Sequence, residues 1–138
     1  MTYEEWERQV PEVIKADQVW QFYAYRKALF LYDLAWEDCE RLMRDLRGQA
    51  VARQLIRSAG SISANVEEGY GRGLGKDRDY FLRVSTGSAR ETRGWYYRGR
   101  HLLSPAVLEH RLNLLSEVIA LLVTELKQQR QRRSLEIC

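Results

Sequence analysis

A chain of 138 residues with 45% hydrophobic content, four Trp and eight Tyr is sized for one domain with a substantial core. Its two prolines, Pro11 and Pro105, and glycines concentrated between Gly60 and Gly99 supply too little turn punctuation for a many-stranded sheet, so an all-α fold is predicted. The formal charge is +3, no run approaches the roughly 18 uninterrupted apolar residues of a membrane span, and the acidic start Thr2-Tyr3-Glu4-Glu5 does not read as a secretory leader. These features predict a soluble cytoplasmic protein without a membrane partner.

Residues 1–16 are predicted to be an N-terminal appendage. Thr2 and Glu5 have capping-box spacing, so a short helix is expected from Glu4 to Val10, where Pro11 interrupts it. A helical bundle is predicted over 17–127. Its first long helix should run from Asp17 to about Leu46, because Ala24, Ala28, Leu31, Ala35, Cys39, Leu42 and Leu46 recur at steps of three and four. Trp20, Tyr23 and Phe30 broaden the apolar surface, and Asp38, Glu40, Arg41 and Arg44 are assigned to the solvent face.

Gly48 is expected to end that helix, and Ala52, Leu55, Ile56, Ala59, Ile62 and Val66 mark a second from about Gln49 to Glu68. Gly60 inside it costs about 1 kcal/mol against Ala, which points to close helix packing. Gly69, Gly71, Gly73 and Gly75 then break the chain before a third helix from about Asp77 to Leu103. Its packed side is predicted at Tyr80, Phe81, Val84, Gly87, Ser88, Trp95 and Tyr96. Beyond Pro105, Leu108, Leu112, Leu115, Ile119, Leu122 and Leu126 form a seam like that of a coiled coil. Val107, Leu114, Val118 and Leu121 flank it, as suits a thick core or a subunit interface. Residues 128–138 are predicted to be a basic helix end and tail.

Charge is unevenly spread: residues 1–46 carry net −4, residues 47–100 net +6 and residues 101–138 net +1. Ten of the eleven central cations are Arg, whose planar fork suits phosphate and carboxylate groups. Arg57, Ser61, Asn65, Glu68 and Arg72 follow helical spacing. They form either a phosphate-binding or subunit-binding strip, or a buried network bracing Ser88 or Glu91. The network is preferred for Asn65 and Glu68, so Arg57, Asn65, Glu68, Ser88 and Glu91 are the predicted structural polar group. The glycine run lacks the order of a P-loop and follows a helix, which favours a plain hairpin over a phosphate cradle.

Arg83, Arg90, Arg93, Arg98 and Arg100 are interleaved with Trp95, Tyr96 and Tyr97. That pairing suits single-stranded nucleic acid; core rings, ion pairs and a solvated face are the other reading. The candidate nucleic-acid-binding residues are Arg72, Lys76, Arg83, Arg90 and Arg93. His101 and His110 are not at metal-ligand spacing with each other, with Cys39 or with Cys138, and no catalytic motif occurs. No metal site, no cofactor and no enzyme activity are predicted.

Several phrases occur together in order: Val19-Trp20-Gln21, Gln54-Leu55, Arg57 with Ser61-Ile62, Asn65 followed by Glu68-Gly69, and Gly71-Arg72. Lys76-Asp77, Tyr80-Phe81-Leu82-Arg83, Gly87-Ser88-Ala89 and Glu91 follow. Together they resemble the bacterial 23S rRNA intervening-sequence proteins over roughly residues 19 to 126. The family's usual central phrase runs Ser-Ile-Pro-x-Asn-Ile-Ala-Glu-Gly-x-Gly-Arg; this chain has Ser63 for the proline, Val66 for the isoleucine and Glu67 for the alanine.

The resemblance implies an antiparallel up-down four-helix bundle assembled as a ring-like homo-oligomer, a pentamer in known members. A group similar in fold, the accessory variability determinants of diversity-generating retroelements, binds a reverse transcriptase and nucleic acid, which makes such an enzyme a candidate partner by analogy. The expected function is a non-enzymatic oligomeric bundle that binds RNA or DNA through an arginine-rich surface, as accessory to a nucleic-acid-processing enzyme. The alternative is an interaction module whose arginines form subunit contacts and bind no nucleic acid.

Overall fold

The computed structural model describes residues 1–137, and Cys138 lies outside them. The described residues are all-helical, with six α-helices: α1 Tyr3–Gln9, α2 Glu12–Lys15, α3 Tyr23–Leu42, α4 Leu46–Gly71, α5 Lys76–Arg98 and α6 Pro105–Ile137. Two short 3-10 turns lie at Gln18–Gln21 and Gly99–His101. Of the four long helices, α3 packs against α4 and α6, and α5 packs against the same two. Their shared core holds Leu31, Leu42, Leu55, Ile62, Leu82, Tyr96, Leu115 and Leu122.

The capping box closes as its spacing requires. Thr2 Oγ1 accepts from the Glu5 amide at 3.2 Å, and the Glu5 carboxylate accepts from the Thr2 amide at 3.0 Å. Residues 1–16, expected as an appendage, contain α1 and α2, and Trp6 of α1 is buried in the common core. Its ring lies 5.5 Å from Phe30 and 6.2 Å from Trp20, while Nε1 donates to Asp33 Oδ2 at 2.7 Å. Burial of the indole face and satisfaction of its one donor explain how so short a helix is held in place.

Helix ends differ from expectation for identifiable local reasons. Asp17 accepts from the Val19 amide at 3.0 Å and starts a 3-10 turn, and Phe22 is extended, so α3 begins only at Tyr23. Gly48 does not end a helix. Asp45 Oδ1 accepts from the Arg47 and Gly48 amides at 2.8 and 3.2 Å and caps α4, placing Gly48 in its first turn. These bonds, led by the Arg47 side chain, hold the Asp45 carboxyl down at about 2. A methyl group at Gly48 would fall 2.0 Å from the Leu42 carbonyl oxygen, so the tight α3–α4 connection requires glycine.

The α4–α5 connection is of another kind, with Gly73 and Gly75 at φ +81° and +104°. Such backbone is open to glycine and strained for other residues. At the far end of α5 the helix stops at Arg98, before the expected Leu103, and tightens into the 3-10 turn that buries Gly99. Pro105 then opens α6, where its missing N–H costs nothing, and Ser104 Oγ accepts from the Val107 amide at 3.2 Å.

Candidate nucleic-acid interface

Helix α5 positions most of the predicted cations, and its burial pattern sorts them. Beyond the first turn, where Arg78 and Asp79 are buried, the packed side consists of Leu82, Ser85, Ala89, Thr92 and Tyr96, all buried. Tyr80 and Gly87, expected on that side, face outward instead: Tyr80 is 55% exposed, and nothing lies within 4 Å of the position a Gly87 Cβ would take. The correction follows from helix geometry, because 82, 85, 89, 92 and 96 also recur at steps of three and four, and these small and hydroxylic residues let α4 approach closely.

Outward from that seam, Lys76, Arg83 and Arg90 recur every seven residues, all exposed. Tyr80 and Tyr97 fall on the same stripe, Tyr97 being 54% exposed, and Gly87 lies between Arg83 and Arg90. Among the described residues none of the three cations has a carboxylate within 4.0 Å. The other two candidates are engaged. Arg72 pairs with Glu68 one turn back, at 2.8 Å, with its guanidinium 5.4 Å from the Phe81 ring centre. Arg93 is half-buried and donates to Ser116 Oγ on α6 at 3.2 Å.

The predicted polar line on α4 divides in the same way. Asn65 Nδ2 donates to the Ser61 carbonyl at 2.8 Å and lies 2.9 Å from Ser61 Oγ, which in turn lies 2.9 Å from Ser88 Oγ on α5. Arg57 bonds Glu91, which also accepts from Trp95 Nε1 at 2.9 Å. Glu68 bonds Arg72 and reaches neither Ser88 nor Glu91. Deeper in the seam, Ser85 Oγ donates to the Ile62 carbonyl at 2.8 Å and Thr92 Oγ1 lies 2.9 Å from Ser58 Oγ. The three rings after Gly94 separate: Tyr96 is core, Trp95 half-buried under Arg98, and Tyr97 exposed beneath Arg100.

A buried ionic constellation lies where the sequence predicts a solvent face. Asp38, assigned there to solvent, is 8% exposed. Its Oδ2 accepts from Tyr96 Oη at 2.7 Å and from Arg111 Nε at 2.8 Å, and Arg111 Nη2 reaches Oδ1 at 3.2 Å. Burial, followed by the Asp38 charge and hydrogen bond, pushes the Tyr96 hydroxyl well above its ordinary range. The neighbouring Cys39 thiol rises to about 11, from burial first and the Asp38 charge second, which makes it a poor nucleophile. The signal was available: Ala35, Asp38 and Leu42 are three and four apart, so the apolar stripe already placed Asp38 inward.

A family model described as 23S rRNA-intervening sequence protein matches residues 21–124. The chain belongs to that family. The matched range takes in α3, α4, α5 and most of α6, and leaves out α1, α2 and the end of α6. A crystal structure at 1.70 Å of a protein of unknown function from the S23 ribosomal protein family of Bacteroides thetaiotaomicron has the same fold. It aligns with a TM-score of 0.69 at 22% identity, over 75% of this chain and 98% of that one. At that identity the likeness speaks to the fold alone. No curated protein matches the chain. Among the described residues of this 23S rRNA-intervening sequence protein, no group of three or more His, Cys, Asp or Glu could hold a metal, and no helix is long and apolar enough to cross a membrane.

Proposed function

We propose that this member of the family is a non-enzymatic nucleic-acid-binding protein that holds an RNA or DNA backbone along the outer face of α5. One observation carries the reading: Lys76, Arg83 and Arg90 form a row without acidic partners among the described residues, with exposed Tyr80 and Tyr97 in the same stripe. Cations without partners retain their full attraction for phosphates, and exposed rings offer faces for bases. The bare backbone at Gly87 lets a strand come close between Arg83 and Arg90. Such contacts position a strand with little base readout.

The supporting scaffold is proposed to be an antiparallel up-down four-helix bundle of α3 to α6 that assembles as a ring-like homo-oligomer, a pentamer by family resemblance. The exposed Met43 beside half-buried Ile56, over a groove of about 310 Å³ between α3 and α4, favours a subunit contact there. A nucleic-acid enzyme such as a reverse transcriptase fits as the partner to which the bound strand is presented.

Fluorescence polarisation of labelled mixed-sequence RNA and DNA across a salt series tests the interface, with light scattering for mass. Replacing Arg83 and Arg90 with Gln is expected to weaken binding and to flatten the salt slope by about 0.7 for each single-strand phosphate that is no longer neutralised. Unchanged affinity and slope in that double variant would rule out the α5 face.

A further inference from the structure

The N-terminal segment outside the family match forms one wall of a cavity of about 510 Å³ against α3 and α4. Four aromatic side chains line it, Trp6 from α1 and Tyr25, Tyr32 and Trp36 from α3, together with three carboxylates, Asp33, Glu37 and Glu67. No Lys or Arg lines it. Among the described residues none of the three carboxylates has a cation within 4.0 Å, although the chain as a whole carries +3.

Two of these carboxylates are oriented by the aromatic walls. Trp6 Nε1 donates to Asp33 Oδ2 at 2.7 Å, and Tyr25 Oη donates to Glu67 Oε2 at 2.6 Å. Each bond engages one oxygen and leaves its twin uncommitted, while the Glu37 carboxylate has no partner among the described residues. A second cavity of about 500 Å³ shares Ile14, Tyr25 and Glu67 with the first and adds Asp17 and Tyr70. The two form a trough with aromatic walls and anionic groups along it.

We propose that this trough binds a small aliphatic polyamine. Its ammonium groups would meet the carboxylates and the π faces, and its hydrocarbon links would lie on the rings. Asp33 and Glu37 stand one turn apart on α3, about 6 Å along the axis, with Glu67 on α4, so a ligand with several ammonium groups matches the site better than a monoamine. The volume is that of a small-molecule site. The apolar walls also set it apart from the oxygen-rich shell that a divalent ion needs.

Calorimetric titration of the full chain with spermidine tests the site. Saturable 1:1 binding is expected, with a change in Trp emission. Glu37→Gln and Trp36→Ala alter exposed side chains, Trp36 being 60% exposed, and each is expected to weaken binding about ten-fold without shifting the urea midpoint. The Arg83 and Arg90 double variant should bind spermidine as the parent does, so this site and the α5 interface can fail separately. Absence of spermidine binding, indifference to both trough variants, or equal displacement by magnesium, which would show charge attraction alone, overturns the proposal.

Discussion

On the inner face of α5 the hydroxyls of Ser85, Ser88, Thr92 and Tyr96 all have partners on neighbouring helices, whereas on its outer face Lys76, Arg83 and Arg90 have no acidic partner among the described residues. Both faces are polar, and both are written at steps of three and four in one helix. The difference teaches where binding capacity remains. A buried polar group must be satisfied within the fold, so its chemistry is committed to architecture; an outward cation keeps its charge available to a partner.

Substitutions on the two faces should therefore separate stability from binding. The largest loss is expected for Asp38→Ala, which leaves the Arg111 charge and the Tyr96 hydroxyl without their acceptor. A cost of about 3–5 kcal/mol in urea unfolding is expected, and a cost below about 1 kcal/mol would show that the inner face is not committed in this way. Alkali should act on the same group. Tyr96 is held neutral, with a folded pKa above its unfolded value of 10.0, so its contribution is complete below that value and is lost as pH rises beyond it. A melting temperature that falls above pH 10 in the parent, and falls less in Tyr96→Phe measured against its own neutral-pH value, checks the sign.

A smaller loss of about 1–2 kcal/mol is expected for Thr92→Val, which removes the hydroxyl facing Ser58 and keeps the volume. Thermal unfolding of Thr92→Val beside Thr92→Ser, which retains the hydroxyl, distinguishes hydrogen bonding from packing. The smallest change belongs to the outer face: with Arg83 and Arg90 both replaced by Gln, stability should stay within about 0.5 kcal/mol. A larger drop would mean that these arginines serve the fold and would blur the distinction between the two faces.

Much of the helical pattern was legible because the stripe on α3 and the leucines of α6 are periodic, and Ala28, Leu31, Ala35, Leu42, Leu115 and Leu122 are all buried. Helix ends were not, since they depend on single side chains: Asp45 captures two amides and so turns Gly48 from a stop into a first-turn residue. The packed side of α5 was located in part: Tyr96 is buried as expected, but Tyr80 is exposed, and the core contact also rests on Ser85, Ala89 and Thr92. Of the candidate cations, the sequence located Arg72 and Arg93 on the right elements without showing that Glu68 and Ser116 engage them. Asp38 has the residue type of a surface position but lies in the apolar period of α3, and the period decides its burial.

The contact between Asp38, Tyr96 and Arg111 also answers a question that the leucines of α6 leave open. Apolar side chains repeating every three or four residues would pack nearly as well after sliding by one turn, about 5.4 Å. Such a slide would carry Arg111 away from Asp38 and strand a carboxylate in the core, a costly error. One ionic contact, joining positions 73 residues apart in sequence, thus acts as an index mark that selects a single vertical alignment of α6 against α3.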